Sequence, residues 1–242
     1  TMRFVEPKSA EQQARAVAFR TREQLVKQRT EAVNSLRSHL YEFGHTAPEG
    51  IGYLPRLAKI IEDPGSDVPD LAREICRMLL DQIAQLTGRI DALKARIAAM
   101  SQEAEMPRQL QTMPGVGPIT ALAVETFAPP MEQFRRGRDF AAWLGLTRRN
   151  HDTGGKPRLT GRISRAGDRS LRRLLVLGAS SWLRQVRKRP QAGSAWIRGL
   201  LARRPVKVCA VAQAAKTARI LWALLTSGQH YRPPLPRHPL PA

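Results

Sequence analysis

Residues 76–100 have the sequence CRMLLDQIAQLTGRIDALKARIAAM, which decides the fold class of the N-terminal part of the chain. Apolar residues recur in it at alternating spacings of three and four, at Cys76, Leu79, Ile83, Leu86, Ile90, Leu93, Ile97 and Met100. This spacing is the a/d seam of a coiled coil, in which one stripe of a helix packs along another helix. We predict that the seam packs against another helix of this chain or against a second copy, and we expect a homo-oligomer.

Another long helix is predicted upstream of this seam. Ser9 and Gln12 have the spacing of a capping box, and neither Gly nor Pro follows until Gly44. The repeated Gly and Pro residues of 44–70 break helical periodicity, which predicts a connector with at most one short helix. Residues 1–106 are therefore expected to form a long helix, a linker and a coiled-coil dimerisation region.

The sequence after Pro107 changes to shorter helical patterns. Amphipathic segments separated by Gly and Pro cover residues 107–127, 132–145, 167–188 and 206–226. No segment alternates with period two for long enough to predict a sheet. We therefore predict an all-α protein in which long helices forming a coiled coil are followed by a compact helical domain, residues 107–228. The Pro-rich residues 229–242 are expected to form an extended, mobile tail.

The charge of the chain indicates a polyanionic partner. Lys and Arg number 40 against 20 Asp and Glu, which gives a formal net charge of +20 and a pI of about 11.4. No run approaches the roughly 20 apolar residues that cross a bilayer, so we expect nucleic acid and not a membrane. Cys76 and Cys209 have neither the context of a disulfide framework nor zinc-ligand spacing. The N-terminus has no secretory signal, and we expect a cytoplasmic protein.

Residues 110–121, LQTMPGVGPITA, place a Pro-Gly-Val-Gly turn between two apolar helical segments. This arrangement resembles the helix-hairpin-helix motif of DNA repair and recombination proteins. Glycine permits a sharp turn with uncovered amides, and the N-terminus of the next helix carries the positive end of its dipole. We predict that a phosphate binds at Gly115, Val116, Gly117 and Thr120. The alternative is an ordinary tight turn between packed helices.

Twelve basic residues crowd into residues 135–173, against only three aspartates. A solvated face usually mixes charges of both signs, whereas this one would repel itself unless a polyanion neutralised it. From this region we predict nucleic-acid contacts by Arg148, Arg149, Lys156, Arg158, Arg162, Ser164, Arg165, Arg169, Arg172 and Arg173. For Ser164, the more ordinary role is to cap the helix that follows.

The segment HDTGGK, residues 151–156, places a hydroxyl beside two glycines and a lysine. Thr153 is a candidate nucleophile, since His151 could accept its proton and the surrounding cations could stabilise negative charge. The default role for such a residue is that of a turn threonine.

Several segments in one order carry a family resemblance: MPGVG at 113–117, residues 140–146, TGGK at 153–156, and residues 161–173 ending in Leu-Arg-Arg. Together they resemble the bridge-RNA-guided insertion-sequence transposases of the IS110/IS1111 group. The likeness extends over nearly all of residues 1–228, including residues 3–9 and the stretch 216–219. It adds Lys216 and Arg219 to the predicted nucleic-acid contacts.

The resemblance implies a division of labour between three parts. In that family a nuclease-like domain binds metal ions, Mg²⁺ by expectation, through three aspartates and a glutamate; a coiled coil dimerises the protein; and a C-terminal domain supplies a nucleophilic serine. This chain resembles the last two parts, so we expect no metal or other cofactor in it. The serine position falls here on Asp152 or Thr153, and only Thr153 would keep a hydroxyl.

We therefore expect the nucleic-acid-binding C-terminal portion of an insertion-sequence transposase, a truncated or partial chain that binds DNA and a guide RNA. Without the metal-binding nuclease domain, the chain alone is expected to be inactive in strand transfer. One alternative is a non-catalytic helix-hairpin-helix DNA-binding protein in which Thr153 has no covalent role. Another is an RNA-binding accessory protein, although an aromatic content of 5% is low for base-stacking platforms.

Overall fold

The computed structural model of the protein describes residues 7–153 and 156–233, except for the side chains of residues 150–153 and 156–161. Of the segments predicted above, residues 1–6, Gly154, Gly155 and residues 234–242 of the tail lie outside the described residues. The chain divides into two compact units: residues 13–96, here called the hairpin unit, and residues 1–12 with 97–242, here called the C-terminal unit.

The hairpin unit contains three α-helices: α1, Ala10–Glu42; α2, Leu54–Glu62; and α3, Asp70–Glu103. The start of α1 and the end of α3 extend a few residues beyond the bounds of the unit. The predicted capping box is confirmed at the start of α1, where the Gln12 amide donates to Ser9 Oγ at 3.1 Å and the Ser9 amide to Gln12 Oε1 at 3.0 Å. The helix stops before Gly44, whose φ of +79° lies in the left-handed region that favours glycine.

The predicted seam of α3 is the face that the helix buries. Five of its positions are buried and the other three, Leu79, Leu93 and Met100, are half-buried. Cys76 and Ile83 share a core with Leu36 and Leu40 of α1. Of the two partners that the sequence allowed for this seam, a helix of the same chain is observed at Cys76 and Ile83, whereas a coiled coil along the whole seam stays a prediction. Assembly with a second copy stays a prediction.

The connector between α1 and α3 contains one short helix, α2, as predicted, after a single 3-10 turn at Ile51–Tyr53. Leu57 and Ile61 of α2 enter the same core. The half-buried Arg73 of α3 fixes the rest of the connector, because its guanidinium donates to the carbonyls of Asp63 at 2.8 Å and Val68 at 3.2 Å. A hydrogen-bonded connector of this kind keeps α1 and α3 in register.

The described part of the C-terminal unit contains six further helices and one β-hairpin. The helices are α4, Glu105–Leu110; α5, Pro118–Phe127; α6, Gly137–Trp143; α7, Arg169–Lys188; α8, Ala195–Arg203; and α9, Val206–Ser227. The strands are β1, Arg148–Thr153, and β2, Lys156–Ile163. Helix α9 is central, since α4, α6, α7 and α8 all contact it.

Helix α9 is long and apolar enough, by length and composition alone, to cross a membrane. Its small buried residues Ala210, Ala214 and Ala218 instead lie in the protein core, where they allow neighbouring helices to approach closely. One such approach is at Gly137 of α6, where an added Cβ would lie 2.8 Å from the carbonyl oxygen of Arg219. The apolar composition of α9 is thus explained by its place in the core.

The all-α class is confirmed, with one local exception that the sequence did not reveal. Strands β1 and β2 pair antiparallel, with Thr153 opposite Lys156 and Arg148 opposite Ile163, and the register shifts between Arg148 and Asn150. The expectation that no strands form was wrong here, because these strands are short and mostly polar and so lack an apolar alternation. Helix α8 was also missed, whereas the predicted segments 167–188 and 206–226 correspond closely to α7 and α9.

Candidate nucleic-acid interface

The glycine turn between α4 and α5 is held against α7. Gly115 has a φ of +85°, and its backbone approaches Gly178 of α7 so closely that a Cβ added at Gly178 would lie 2.0 Å from the Gly115 oxygen. Val116 is buried, whereas Gly117 is exposed and caps α5 in an extended conformation. Part of the Gly-Val-Gly pattern is therefore explained by packing, and Gly117 is the glycine that faces solvent.

Helix α5 begins next to this turn with backbone donors that the helix itself leaves unused. Its first internal hydrogen bond runs from the amide of Ala121 to the carbonyl of Gly117, so the amides of Ile119 and Thr120 have no acceptor within the helix. A cavity of about 450 Å³ opens there, with Leu174, Leu177 and Trp182 of α7 on its other side. The predicted residues Gly115, Val116, Gly117 and Thr120 all line this cavity.

The loop after the β-hairpin is locked against the end of α6. Gly145 and Gly167 have φ values of +68° and +69°, and a Cβ at Gly167 would lie 1.8 Å from the oxygen of Trp143. Arg172 spans the two segments, donating from Nη1 to the carbonyls of Leu144 at 3.0 Å and Ala166 at 2.6 Å. The guanidinium of Arg172, a predicted nucleic-acid contact, is thus half-buried and bonded within the fold.

The cap of α7 is Asp168 and not Ser164. The Asp168 carboxylate accepts from the amide of Leu171 at 2.6 Å, and α7 begins at Arg169. The Ser164 hydroxyl instead accepts from the amide of Ala166 at 3.4 Å. Capping was wrong as a role for Ser164, because the serine is placed one turn too early and belongs to the loop that packs on Gly145.

Five of the predicted arginines are exposed near the ends of β1 and β2 that adjoin α6 and α7, and at the start of α7: Arg148, Arg149, Arg162, Arg165 and Arg169. Arg173 is also exposed, one turn further along α7. Arg165 has a positive φ of 57°, an uncommon conformation for a side chain with a Cβ, imposed by the tight loop. The structure thus brings these cations together on both sides of the junction between β2 and α7.

The remaining predicted cations are placed less completely. For Lys156 and Arg158 the structure gives the backbone of β2 only. Lys216 is half-buried in α9, its Nζ 4.5 Å from the ring centre of Trp196. Burial, with a smaller contribution from the charge of Arg219, lowers the pKa of Lys216. Arg219 itself is exposed and donates from Nε to the Ala215 carbonyl at 3.3 Å.

The distribution of charge between the two units is strongly asymmetric. Residues 97–242 contain 25 Lys and Arg against 7 Asp and Glu, which gives them a formal charge of +18 out of the +20 of the whole chain. From residue 169 to the end there are 15 Lys and Arg and no Asp or Glu. The basic cluster predicted at residues 135–173 covers only the start of this longer region without Asp or Glu, although the sequence alone shows the whole region.

The exposed cations of that region were not predicted as contacts. Among the described residues they lie on α7, α8 and α9 or just beyond the ends of these helices: Arg184, Arg187, Lys188, Arg189, Arg198, Arg203, Arg204, Lys207 and Arg232. Arg187 and Lys188 have a structural explanation, since they lie in the last turn of α7, where the helix dipole favours cations. Lys207 lies in the first turn of α9, where the dipole disfavours a cation. The helix dipole therefore does not explain that position.

The two candidates for the nucleophile position lie at the end of β1. Thr153 is the last residue of the strand and pairs with Lys156, and Asp152 pairs with Pro157. The structure does not describe their side chains, so the role of the Thr153 hydroxyl as a nucleophile stays a prediction.

The metal ion implied by the family resemblance finds no ligand set among residues 7–153 and 156–233. Nowhere in these ranges do three His, Cys, Asp or Glu side chains come together at ligating distance. The described residues therefore do not fit a bound Mg²⁺.

Comparisons with known proteins agree with one another. Residues 107–198 match the family model described as Transposase IS116/IS110/IS902 family. A transposase of Sinorhizobium fredii is 43% identical over 234 residues, 96% of this chain and 60% of that protein. A family 20 transposase of Pseudomonas aeruginosa is 43% identical over 235 residues, 96% of this chain and 69% of that protein. The transposase for insertion sequence element IS1328 of Yersinia enterocolitica is 34% identical over 228 residues, 94% of this chain and 67% of that protein.

Proposed function

The chain belongs to the IS116/IS110/IS902 family of transposases, and from this premise we propose that its C-terminal unit holds the phosphodiester backbone of nucleic acid during DNA transposition. The chain spans 60% of the length of the Sinorhizobium relative. We propose that it acts in transposition as one part of a transposase that also needs a metal-binding nuclease domain, and that it binds DNA and a guide RNA, self-associates and is cytoplasmic.

The observation that carries the proposal is the placement of charge. A formal charge of +18 belongs to the C-terminal unit, which buries its apolar helix α9 and leaves arginines exposed at the junction between β2 and α7. Close cations of one sign repel each other unless counterions or a polyanion neutralise them. The phosphates of a nucleic acid do so while releasing their own condensed counterions, which favours binding further.

The glycine turn supports the same proposal through the backbone. The amides of Ile119 and Thr120, at the positive end of the α5 dipole, can donate to a phosphate oxygen without reading any base. Contacts of this kind position a nucleic acid and do not select its sequence. We therefore propose that the C-terminal unit supplies affinity and orientation, and that sequence choice depends on base pairing with the guide RNA.

We further propose that Thr153, at the end of β1, carries the hydroxyl that replaces the family serine. The end of a strand presents a residue to a bound substrate more readily than the middle of a helix does. If Asp152 occupies that position instead, no hydroxyl is available there, and the role of the chain is confined to binding.

A charge-neutralising variant tests the binding proposal. We expect Arg148, Arg149, Arg162 and Arg165, all changed to Gln, to reduce the slope of log affinity against log salt concentration by about 3 to 4, because each lost phosphate contact removes about 0.9 from the slope. Fluorescence anisotropy with a labelled duplex measures the slope.

The matched control carries the same number of Gln substitutions on exposed cations of the hairpin unit, Arg20, Lys27, Arg89 and Lys94. It removes the same formal charge, and we expect its slope to stay close to that of the unmodified chain. Equal slopes for the two variants would show that only net charge matters, and would refute the placement of the interface at the junction between β2 and α7.

A further inference from the structure

A second cavity of the C-terminal unit, which shares Trp182 with the cavity at the glycine turn, has a volume of about 680 Å³. Helix α9 forms one wall, Trp182 of α7 contributes to another, and residues 229–233 close it from outside. Its volume falls within the roughly 300–1,000 Å³ that is usual for sites of small ligands. The function proposed above leaves this cavity without a role.

The segment that closes the cavity, residues 229–233, is fixed by hydrogen bonds. The Gln109 side chain of α4 donates to the carbonyls of Gln229 at 2.6 Å and Leu224 at 3.1 Å. The amide of Tyr231 donates to the hydroxyl of Thr112 at 3.0 Å. Tyr231 is half-buried, and burial raises the pKa of its phenol. The tyrosine therefore forms a neutral, anchored part of the wall.

The walls combine apolar and aromatic surface with a few polar groups. Trp182 and Tyr231 supply aromatic rings, and Leu224 of α9 supplies aliphatic surface. Gln213 is 4% exposed and lines the cavity, with its Nε2 3.3 Å from Thr217 Oγ1. A buried carboxamide is adaptable, since it both donates and accepts, and glutamine pairs well with base edges.

The charge around this cavity is purely positive. Lys216 and Arg232 line it, and none of the described lining residues is Asp or Glu. Lys216 is held in place by the ring of Trp196, 4.5 Å from its Nζ. An anionic ligand with a planar, hydrogen-bonding part satisfies all three features of the walls: the cations, the aromatic rings and the carboxamide.

We propose that this cavity takes one unstacked nucleotide of the nucleic acid that the C-terminal unit binds. This inference rests on the proposed function, because the rest of the strand must lie on the same unit. The base lies against Trp182 and Tyr231 with its edge towards Gln213, and the phosphate lies near Lys216 and Arg232. An unpaired base costs least to extract from its stack, so bulged or single-stranded nucleotides are the preferred occupants.

The test compares two oligonucleotides of equal length, a perfect duplex and the same duplex with one unpaired nucleotide, by fluorescence anisotropy. DNA and RNA pairs are measured in parallel, so that the arm showing a preference identifies the source of the nucleotide. We expect the unmodified chain to bind the bulged form about tenfold more tightly, in line with the stacking of one base on aromatic side chains.

Two cavity variants and one control complete the experiment. Lys216→Gln and Tyr231→Ala are each expected to remove most of the preference for the bulged form. Lys207→Gln removes a cation from an exposed position of the same helix that does not line the cavity, and it should weaken both complexes equally. Circular dichroism checks that each variant folds, and Lys216→Gln leaves the closing segment intact should Tyr231→Ala unfold.

Three outcomes have distinct meanings. A preference that both cavity variants lose and the control keeps supports the inference. Equal binding of both oligonucleotides, or a preference that survives both cavity variants, overturns the inference and leaves the proposed function standing. Failure to bind any oligonucleotide overturns the proposed function, and the inference with it.

Discussion

Gly167→Ala is expected to lower the free energy of unfolding of the C-terminal unit by about 3 kcal/mol or more. The left-handed φ of +69° costs a residue with a Cβ about 1–2 kcal/mol. In addition, the new Cβ would lie 1.8 Å from the carbonyl oxygen of Trp143, and relieving such overpacking costs about 1–3 kcal/mol. Urea denaturation followed by circular dichroism measures the change.

Gly199→Ala is the matched control for this substitution. Gly199 lies inside α8 with nothing within 4 Å of an added Cβ, so alanine there should stabilise the protein by about 0.5–1 kcal/mol. An unchanged midpoint for Gly167→Ala would mean that the loop before α7 does not pack on the end of α6. The exposed arginines on that loop would then lose their fixed position, which the binding proposal needs.

The affinity of the unmodified chain for non-specific duplex DNA is expected to fall steeply with salt. If the C-terminal unit contacts about six to ten phosphates, raising the salt from about 50 to about 200 mM should weaken binding by about 10³ to 10⁵. The reason is the release of condensed counterions, which becomes less favourable as their concentration in solution rises. Anisotropy titrations at several salt concentrations give the slope directly.

A duplex with uncharged methylphosphonate linkages serves as the control for that titration. It keeps the bases and the shape of the duplex but has no condensed counterions to release, so we expect weak binding with little dependence on salt. Equal affinity for the charged and uncharged duplexes would show that the chain recognises something other than phosphate.

The N-terminal architecture could be predicted from the sequence because local signals agree there. The capping pair Ser9 and Gln12 fixes where α1 begins, and the spacing from Cys76 to Met100 fixes which face of α3 is buried. Both signals act within a few residues along one helix. The choice between an internal partner and a second copy needed the structure, since an a/d seam has the same pattern for either.

The C-terminal unit could be predicted only in part because its decisive contacts join distant residues. The sequence indicates a turn at Gly115, but not that its backbone approaches Gly178. It indicates a basic cluster, but not that the guanidinium of Arg172 donates hydrogen bonds to the carbonyls of Leu144 and Ala166. The β-hairpin could not be predicted, because its strands are short and mostly polar and so lack the alternation of apolar residues that indicates a strand.

The candidate site shows the same division. The exposure of Arg148, Arg149 and Arg162 agrees with what charge crowding alone predicts. The cavity around Gln213 and Tyr231 could not be predicted, because it depends on residues 229–233 folding back onto α4 and the turn that follows it. A cluster of charge can therefore be predicted from the sequence, whereas the shape of a pocket depends on tertiary packing.

Amide hydrogen exchange of the chain, with and without a non-specific duplex at low salt, tests most directly where the nucleic acid lies. We predict that binding slows exchange within residues 97–233, above all in the turn before α5 and the start of α7, and leaves residues 13–96 unchanged. Slower exchange confined to residues 13–96, or no change anywhere despite saturation with duplex, would contradict the account.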